Sequence, residues 1–209
     1  MWRRAEIMRR LLLALCGLLL FAGCATTRIS RAPLSAAEQE LFLRGLSGFG
    51  LDGRVGVTAG EQRVNPTLAW RQQAAESRVR LSGQFGVGSL TLVYRPQFLS
   101  MTTSHGEELR DINAEQALSA QLGFLPPFEA LRYWVLGLAA PGEAPLEQST
   151  DADGRLADMT QLQWHIHYDR WIEVATTAGL ARLPRRLTAT RGDLSLRLFV
   201  DRWKLQAGN

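Results

Sequence analysis

Three histidines, His105, His165 and His167, are the chain's only imidazoles, and the last two stand two residues apart with Asp169 just beyond. On a strand that spacing places all three side chains on one face, where they could hold a metal ion. The same alternation turns Trp164, Ile166 and Tyr168 inward, so the histidines point to water, and two imidazoles without an obvious third or fourth ligand make a poor metal site. The stretch SGQFGVGS, Ser82 to Ser89, has glycines at 83, 86 and 88. A phosphate cradle needs a strand before such a loop and a helix after it, whose amides face the anion. Here strand patterns flank it on both sides and no Gly-Lys-Ser/Thr follows, which leaves an ordinary turn or one built to present Phe85. No Gly-x-Ser-x-Gly elbow occurs, Asp151, Asp153 and Asp158 read as turn residues, and no pair of carboxylates stands out for acid–base work. The chain is therefore read as no enzyme, with no cofactor and no metal.

Aromatics are the unusual resource. Trp70, Trp134, Trp164, Trp171 and Trp203 all lie beyond residue 24, and four of them sit where the pattern points toward a helix–sheet interior. They either fill a solid core or line a cavity between a curved sheet and helices.

The amino terminus identifies the compartment. Arginines at 3, 4, 9 and 10 precede an apolar run from Leu11 to Phe21, which ends in Ala22-Gly23-Cys24. That is a secretory signal too short to span a bilayer. Met8 is an equally good start. Small residues directly before a cysteine resemble a bacterial lipobox, with Phe21 where leucine is usual, so Cys24 is the expected lipidation site. The organisation expected is a signal peptide over 1–23, a lipidated tether over 24–34 and one domain over 35–209. With Cys16 removed and Cys24 lipidated, that domain holds no thiol or disulfide. The formal charge of +4 falls to +1 once 1–23 is removed, which takes away the main support for nucleic-acid binding.

The elements that must position these residues follow from period and punctuation. Ser35-Ala36-Ala37-Glu38 reads as a capping box opening a helix with Leu41, Phe42 and Leu46 on one side. From Phe49 the period becomes two, in short runs through Leu51, Val57, Trp70, Val79, Leu92 and Met101, which predicts an antiparallel meander. Asn113-Ala114-Glu115-Gln116 predicts a second capped helix ending at Gly123, and Pro126-Pro127 opens a third that ends at Gly137. Strands are expected over 155–161, 164–168, 187–191 and 194–200, with a last one near 203–205 and turns at Asp153-Gly154 and Gly192-Asp193.

Several ordered segments carry a family resemblance: LDGRVGV at 51–57, LAWRQ at 68–72, the glycine-rich turn near 83–88, LRYWVLGLAAPG at 131–142, DGRL at 153–156, QLQWHIHY at 161–168, LPRRL at 183–187 and DRWKL at 201–205. Together with the lipobox they resemble the outer-membrane lipoprotein receptor LolB family. The resemblance implies a mainly β fold with helices: a curved, incomplete antiparallel barrel covered by helices, with an apolar cavity between. It also implies a task, namely taking lipoproteins from LolA, a soluble periplasmic carrier of similar fold, and releasing them into the inner leaflet of the outer membrane. A triacylated cysteine carries on the order of 45 methylenes at roughly 0.8 kcal/mol each, so passage through water would cost about 30 kcal/mol or more. Apolar periodicity, two in the strands and three to four in the third helix, nominates Trp70, Leu90, Leu92, Leu131, Trp134, Leu138, Ile166, Tyr168 and Trp203 as cavity lining. Phe85 stands where family members carry a protruding apolar residue, so it is expected to be exposed and to aid membrane insertion; alternatively it folds back as a core plug. Ala25 after Cys24, where aspartate in many enteric bacteria signals inner-membrane retention, fits outer-membrane residence. The expected partners are the carrier, acylated lipoproteins and, through the lipid anchor, the outer membrane; no nucleic acid is expected, and the chain is expected to be a monomer. Two other functions stay open: a lipoprotein that carries glycolipid or other lipid, and an envelope-stabilising lipoprotein whose aromatics only pack.

Overall fold

A computed structural model describes residues 32–83 and 88–207. Twelve strands form one antiparallel sheet: β1 (Leu46–Ala59), β2 (Gln62–Val64), β3 (Thr67–Gln73), β4 (Glu76–Ser82), β5 (Ser89–Arg95), β6 (Phe98–Thr103), β7 (Glu108–Arg110), β8 (Glu147–Thr150), β9 (Leu156–Gln161), β10 (Trp164–Ala175), β11 (Leu180–Arg191) and β12 (Leu194–Ala207). The order is β7-β6-β5-β4-β3-β1-β12-β11-β10-β9-β8, with β2 paired to β1 off this path. The two ends, β7 and β8, do not meet, so the sheet is open. Its centre is the pairing of β1 with β12, the first long strand with the last, where Leu51 faces Trp203 and Val55 faces Leu198. A bulge at Asp201 shifts this register between Asp52 and Gly53.

Among the described residues three helices pack into the core, α1 (Ala36–Arg44), α2 (Asp111–Leu122) and α3 (Phe128–Trp134). The first is capped as the sequence predicts, with Ser35 Oγ accepting from Glu38 N and Glu38 Oε2 accepting from Ser35 N at 2.9 Å. Its packing face differs from the expected one. Leu43 is the buried residue, Leu41 is exposed, and Leu46 already belongs to β1, because Gly45 ends the helix. The second helix starts at Asp111, so Asn113 lies inside it and caps nothing. Gly123 does end it, at φ 81, and a Cβ there would stand 2.3 Å from the Ala59 Cβ, so the turn needs both the left-handed backbone and the missing side chain.

The turns at Asp153-Gly154 and Gly192-Asp193 join β8 to β9 and β11 to β12, as expected. Strand lengths differ. The runs expected at 194–200 and 203–205 are one strand, β12, because the Asp201 bulge restores alternation without ending the ladder. Strand β11 begins at Leu180 rather than Leu187 and carries Pro184 through an irregularity opposite Trp171. Strand β10 runs on to Ala175, and β8 was not anticipated, since all four of its residues are exposed and show no alternation.

Candidate functional site: an apolar cleft under a helical cover

The inward positions of the central strands are aliphatic, and α3 with the end of α2 lies across them. Between the two is a cleft whose empty volume, including the part open to solvent, is about 580 Å³. Val55, Val57, Leu68, Val79, Leu81, Leu196 and Leu198 form its sheet side with Trp70 and Leu92. Leu122, Pro126, Phe128, Leu131 and Val135 form its cover. Every lining residue is apolar, so a bound polar group would lose its hydrogen bonds to water and find none in return. A hydrocarbon chain would lose nothing.

The nine nominated residues all lie in the core. Trp70, Leu92 and Leu131 line the cleft. Leu90, Trp134, Ile166 and Tyr168 are buried beside it rather than on its wall, and Trp203 packs edge-on to Phe49, 5.8 Å between ring centroids. Leu138 borders a wider, mixed polar groove between α1 and the β8–β9 hairpin. Val55, Val57, Val79 and Leu81 also line the cleft; the period-two runs place them inward but do not nominate them as lining. Cys24 and Phe85 lie outside the described residues. The strands bracketing Phe85 end at Ser82 and begin at Ser89, and Gly83 N donates to Gly88 O at 3.1 Å.

The cover is held unequally at its two ends. At the rear, Gln161 is wholly buried, and its Oε1 accepts from Trp134 Nε1 at 2.8 Å and from Ala140 N at 2.9 Å. Its Nε2 donates to the carbonyls of Ala140 and Glu143. Tyr168 donates its hydroxyl to Trp134 O at 2.9 Å, and burial pushes that phenol's pKa far up, so it remains a donor. Gly137, at φ 77, lets the cover turn sharply; a Cβ there would come within 2.7 Å of the Trp171 ring. At the front the tie is a surface one. Tyr94 stacks on Phe128 at 5.1 Å and donates to Glu129 Oε2 at 2.9 Å. Burial, with the Glu129 carboxylate, pushes the Tyr94 pKa up to about 12, so this bond too is intact at neutral pH. Arg132 reaches Glu129 at 3.4 Å from the other side.

The histidines are exposed, as alternation predicts. Their carboxylate partner is not Asp169, which pairs with Arg186, but Asp158 on β9, which lies in a strand rather than a turn. Asp158 Oδ1 stands 2.8 Å from His167 Nδ1 and 3.3 Å from His165 Nε2. No group of three or more His, Cys, Asp or Glu among the described residues is arranged to hold a metal ion.

The family model described as outer membrane lipoprotein LolB matches residues 47–203. An outer-membrane lipoprotein LolB from Nitrosococcus oceani is 32% identical over 202 residues, covering 94% of this chain and 98% of the relative. One from Alkalilimnicola ehrlichii is 32% identical over 198 residues, covering 94% and 97%. Among solved structures, a LolA superfamily protein from Nitrosomonas europaea aligns with a TM-score of 0.48 at 11% identity, covering 84% of this chain and 96% of that one. With a family model running from the first turn of β1 almost to the end of β12, the chain belongs to the outer membrane lipoprotein LolB family.

Proposed function

We propose that the chain is an outer-membrane lipoprotein receptor: it accepts acylated lipoproteins from a soluble periplasmic carrier of the LolA type and releases them into the inner leaflet of the outer membrane. Lipid on Cys24 anchors it there, facing the periplasm, and the domain over 35–209 works as a monomer. The observation that carries this reading is a cleft lined only by apolar side chains beneath a cover that is tied loosely at one end. Transfer between two such pockets needs neither a nucleotide nor a broken bond, because the hydrocarbon never enters water.

Volumes set how the cleft is used. A methylene takes about the room of a water molecule, about 30 Å³, so one acyl chain of about 15 methylenes needs about 450 Å³ and three need about 1,350 Å³. The cleft's empty volume of about 580 Å³, part of it open to solvent, falls well short of the room three chains need, so a triacylated cargo requires the cover to lift. Phe85 at the turn between β4 and β5 acts as the membrane-insertion residue, its ring favouring the headgroup boundary.

Depletion of the protein in its own bacterium is the direct test, with lipoproteins expected to accumulate on the soluble carrier. If they reach the outer membrane at the normal rate, the reading fails; if glycolipid transport fails instead, the cargo is a different lipid. Replacing Phe85 with Glu is expected to leave acceptance from the carrier intact and to block release. Normal release by a folded variant refutes the role of Phe85.

A further inference from the structure

Charge is distributed very unevenly over this domain. Residues 32–209 hold 18 Arg or Lys against 19 Asp or Glu, a nearly balanced total. The four adjacent strands β12, β1, β3 and β4 alone hold seven cations against three carboxylates, leaving eleven against sixteen elsewhere. All seven cations are exposed and alternate with the buried residues that face the cleft, so they lie on the sheet's outer face. The ladder arranges them in rows. Lys204 lies opposite Gly50, Gly50 opposite Arg71, and Arg71 opposite Arg78. One step along, Arg202 lies opposite Asp52, Asp52 opposite Ala69, and Ala69 opposite Arg80. Arg54 and Arg197 follow toward the far end of β1 and β12.

Such rows oppose folding, since like charges directly across a ladder repel. Asp52 and Glu76 offset this for Arg71 and Arg78. Arg80, Arg197, Arg202 and Lys204 pair with no carboxylate among the described residues. Arg71 also donates to the Leu51 and Trp70 carbonyls, Arg80 to Ser89, and Arg54 lies over the Phe199 ring, but Arg197, Arg202 and Lys204 have no such return among the described residues.

The positions of the two membrane attachments indicate what it faces. The chain enters the domain at Pro33, which bridges to Leu180 at the start of β11, and Trp203 Nε1 bonds Pro184 O, so entry is at the Lys204 end of β12. The turn carrying Phe85 follows Ser82, which pairs with Thr67, itself opposite Arg54, so it leaves the sheet at the other end. A seven-residue strand such as β3 separates these ends by about 23 Å. Eight residues join Cys24 to Ala32 and reach about 28 Å at full extension. With the strands lying along a bilayer, the entry at Pro33 and the turn after Ser82 both come to its surface, within reach of that tether. Of the two faces that could then meet the lipid, one carries the helices and the cleft and the other carries the exposed cations, which an anionic surface selects.

Resting on the function proposed above, we propose that the outer face of β12-β1-β3-β4 is a docking surface for the anionic phosphate headgroups of the outer membrane's inner leaflet. It lays the domain flat, with the covered side open to the periplasm. Long arginine and lysine side chains on a shallow sheet suit a diffuse negative surface within a Debye length.

The test uses the mature acylated chain in vesicles, with a single cysteine introduced for a fluorophore at Val93, opposite Arg78 on the outer face, or at exposed Ile112 on α2. In vesicles containing phosphatidylglycerol, a headgroup-level quencher is expected to quench the Val93 probe several-fold more than the Ile112 probe. The difference should vanish in phosphatidylcholine alone, in high salt, and when Arg80, Arg197, Arg202 and Lys204 are each changed to Gln. Equal quenching at both sites, or a difference insensitive to lipid charge, overturns the proposal. So does a Val93 probe shielded only when the carrier protein is added, which would make the face an acidic-protein site. Lipoprotein transfer is scored in the same vesicles. Transfer without charge-dependent quenching overturns the docking surface alone; quenching without transfer overturns the receptor function alone.

Discussion

Replacing Gln161 with Leu isolates what holds the rear of the cover. The substitution keeps the side chain's approximate bulk and removes four hydrogen bonds at a site with no exposed surface. Trp134 Nε1–H and Ala140 N–H are left buried without acceptors, at about 1–3 kcal/mol each, so the two together cost about 4 kcal/mol. That is a large part of a typical stability of about 5–15 kcal/mol, and for a domain of this size it lowers Tm by about 8–16 °C. Equilibrium urea unfolding followed by tryptophan fluorescence measures it directly. Replacing exposed Gln73 with Leu is the control and is expected to change stability by less than about 0.5 kcal/mol. A loss below about 1 kcal/mol for Gln161→Leu would refute the assignment of this residue as the buried tie between cover and sheet.

The front of the cover should respond in the opposite way. Tyr94→Phe removes the bond to Glu129 while keeping the stack on Phe128, so stability is expected to change by less than about 1 kcal/mol while uptake of a fluorescent fatty acyl probe becomes faster; unchanged uptake in stopped flow counts against a front opening. Val79→Phe thrusts a ring into the cleft and is expected to weaken acyl binding in titrations, and full affinity would place the ligand elsewhere. Asp169 has its pKa held below the usual carboxylate range, first by the hydrogen bond from Arg186, so its contribution to stability is present above the unfolded value of 3.8 and is lost as pH falls through the lower folded value. Asp169→Asn is therefore expected to be less stable than the parent at neutral pH and to converge with it in acid; a gap that persists under acid refutes the pairing.

How much of this was legible in the sequence differs between its layers. The period-two runs located the sheet, and the glycines at 123, 154 and 192 marked turns because those positions need a left-handed backbone. The Asp201 bulge was hidden, since one extra residue makes an unbroken strand read as two. The false cap at Asn113 shows the limit of a four-residue signature, because the preceding strand β7 delivers the chain to the helix three residues earlier, with Arg110 at the cap position. Of the site, Trp70 and Leu92 were reachable by strand alternation and Leu131 by helical spacing, but neither period can separate a wall from the layer behind it. Ile166 and Val79 follow the same pattern and differ only in which residues cover them. Gln161 carries no signal in one dimension: its four bonds reach back to residues 134–143, and only the fold brings them together.

The two unpaired margins of the sheet have a consequence for capacity. In a closed barrel, strand number and stagger fix the bore, and widening it means breaking rungs of the ladder. Here β7 and β8 are separate ends, so the sheet can flatten or curl with every rung kept. Its bore is an adjustable dimension: once the cover lifts, bending can fit the sheet to different numbers of fatty tails without breaking a rung.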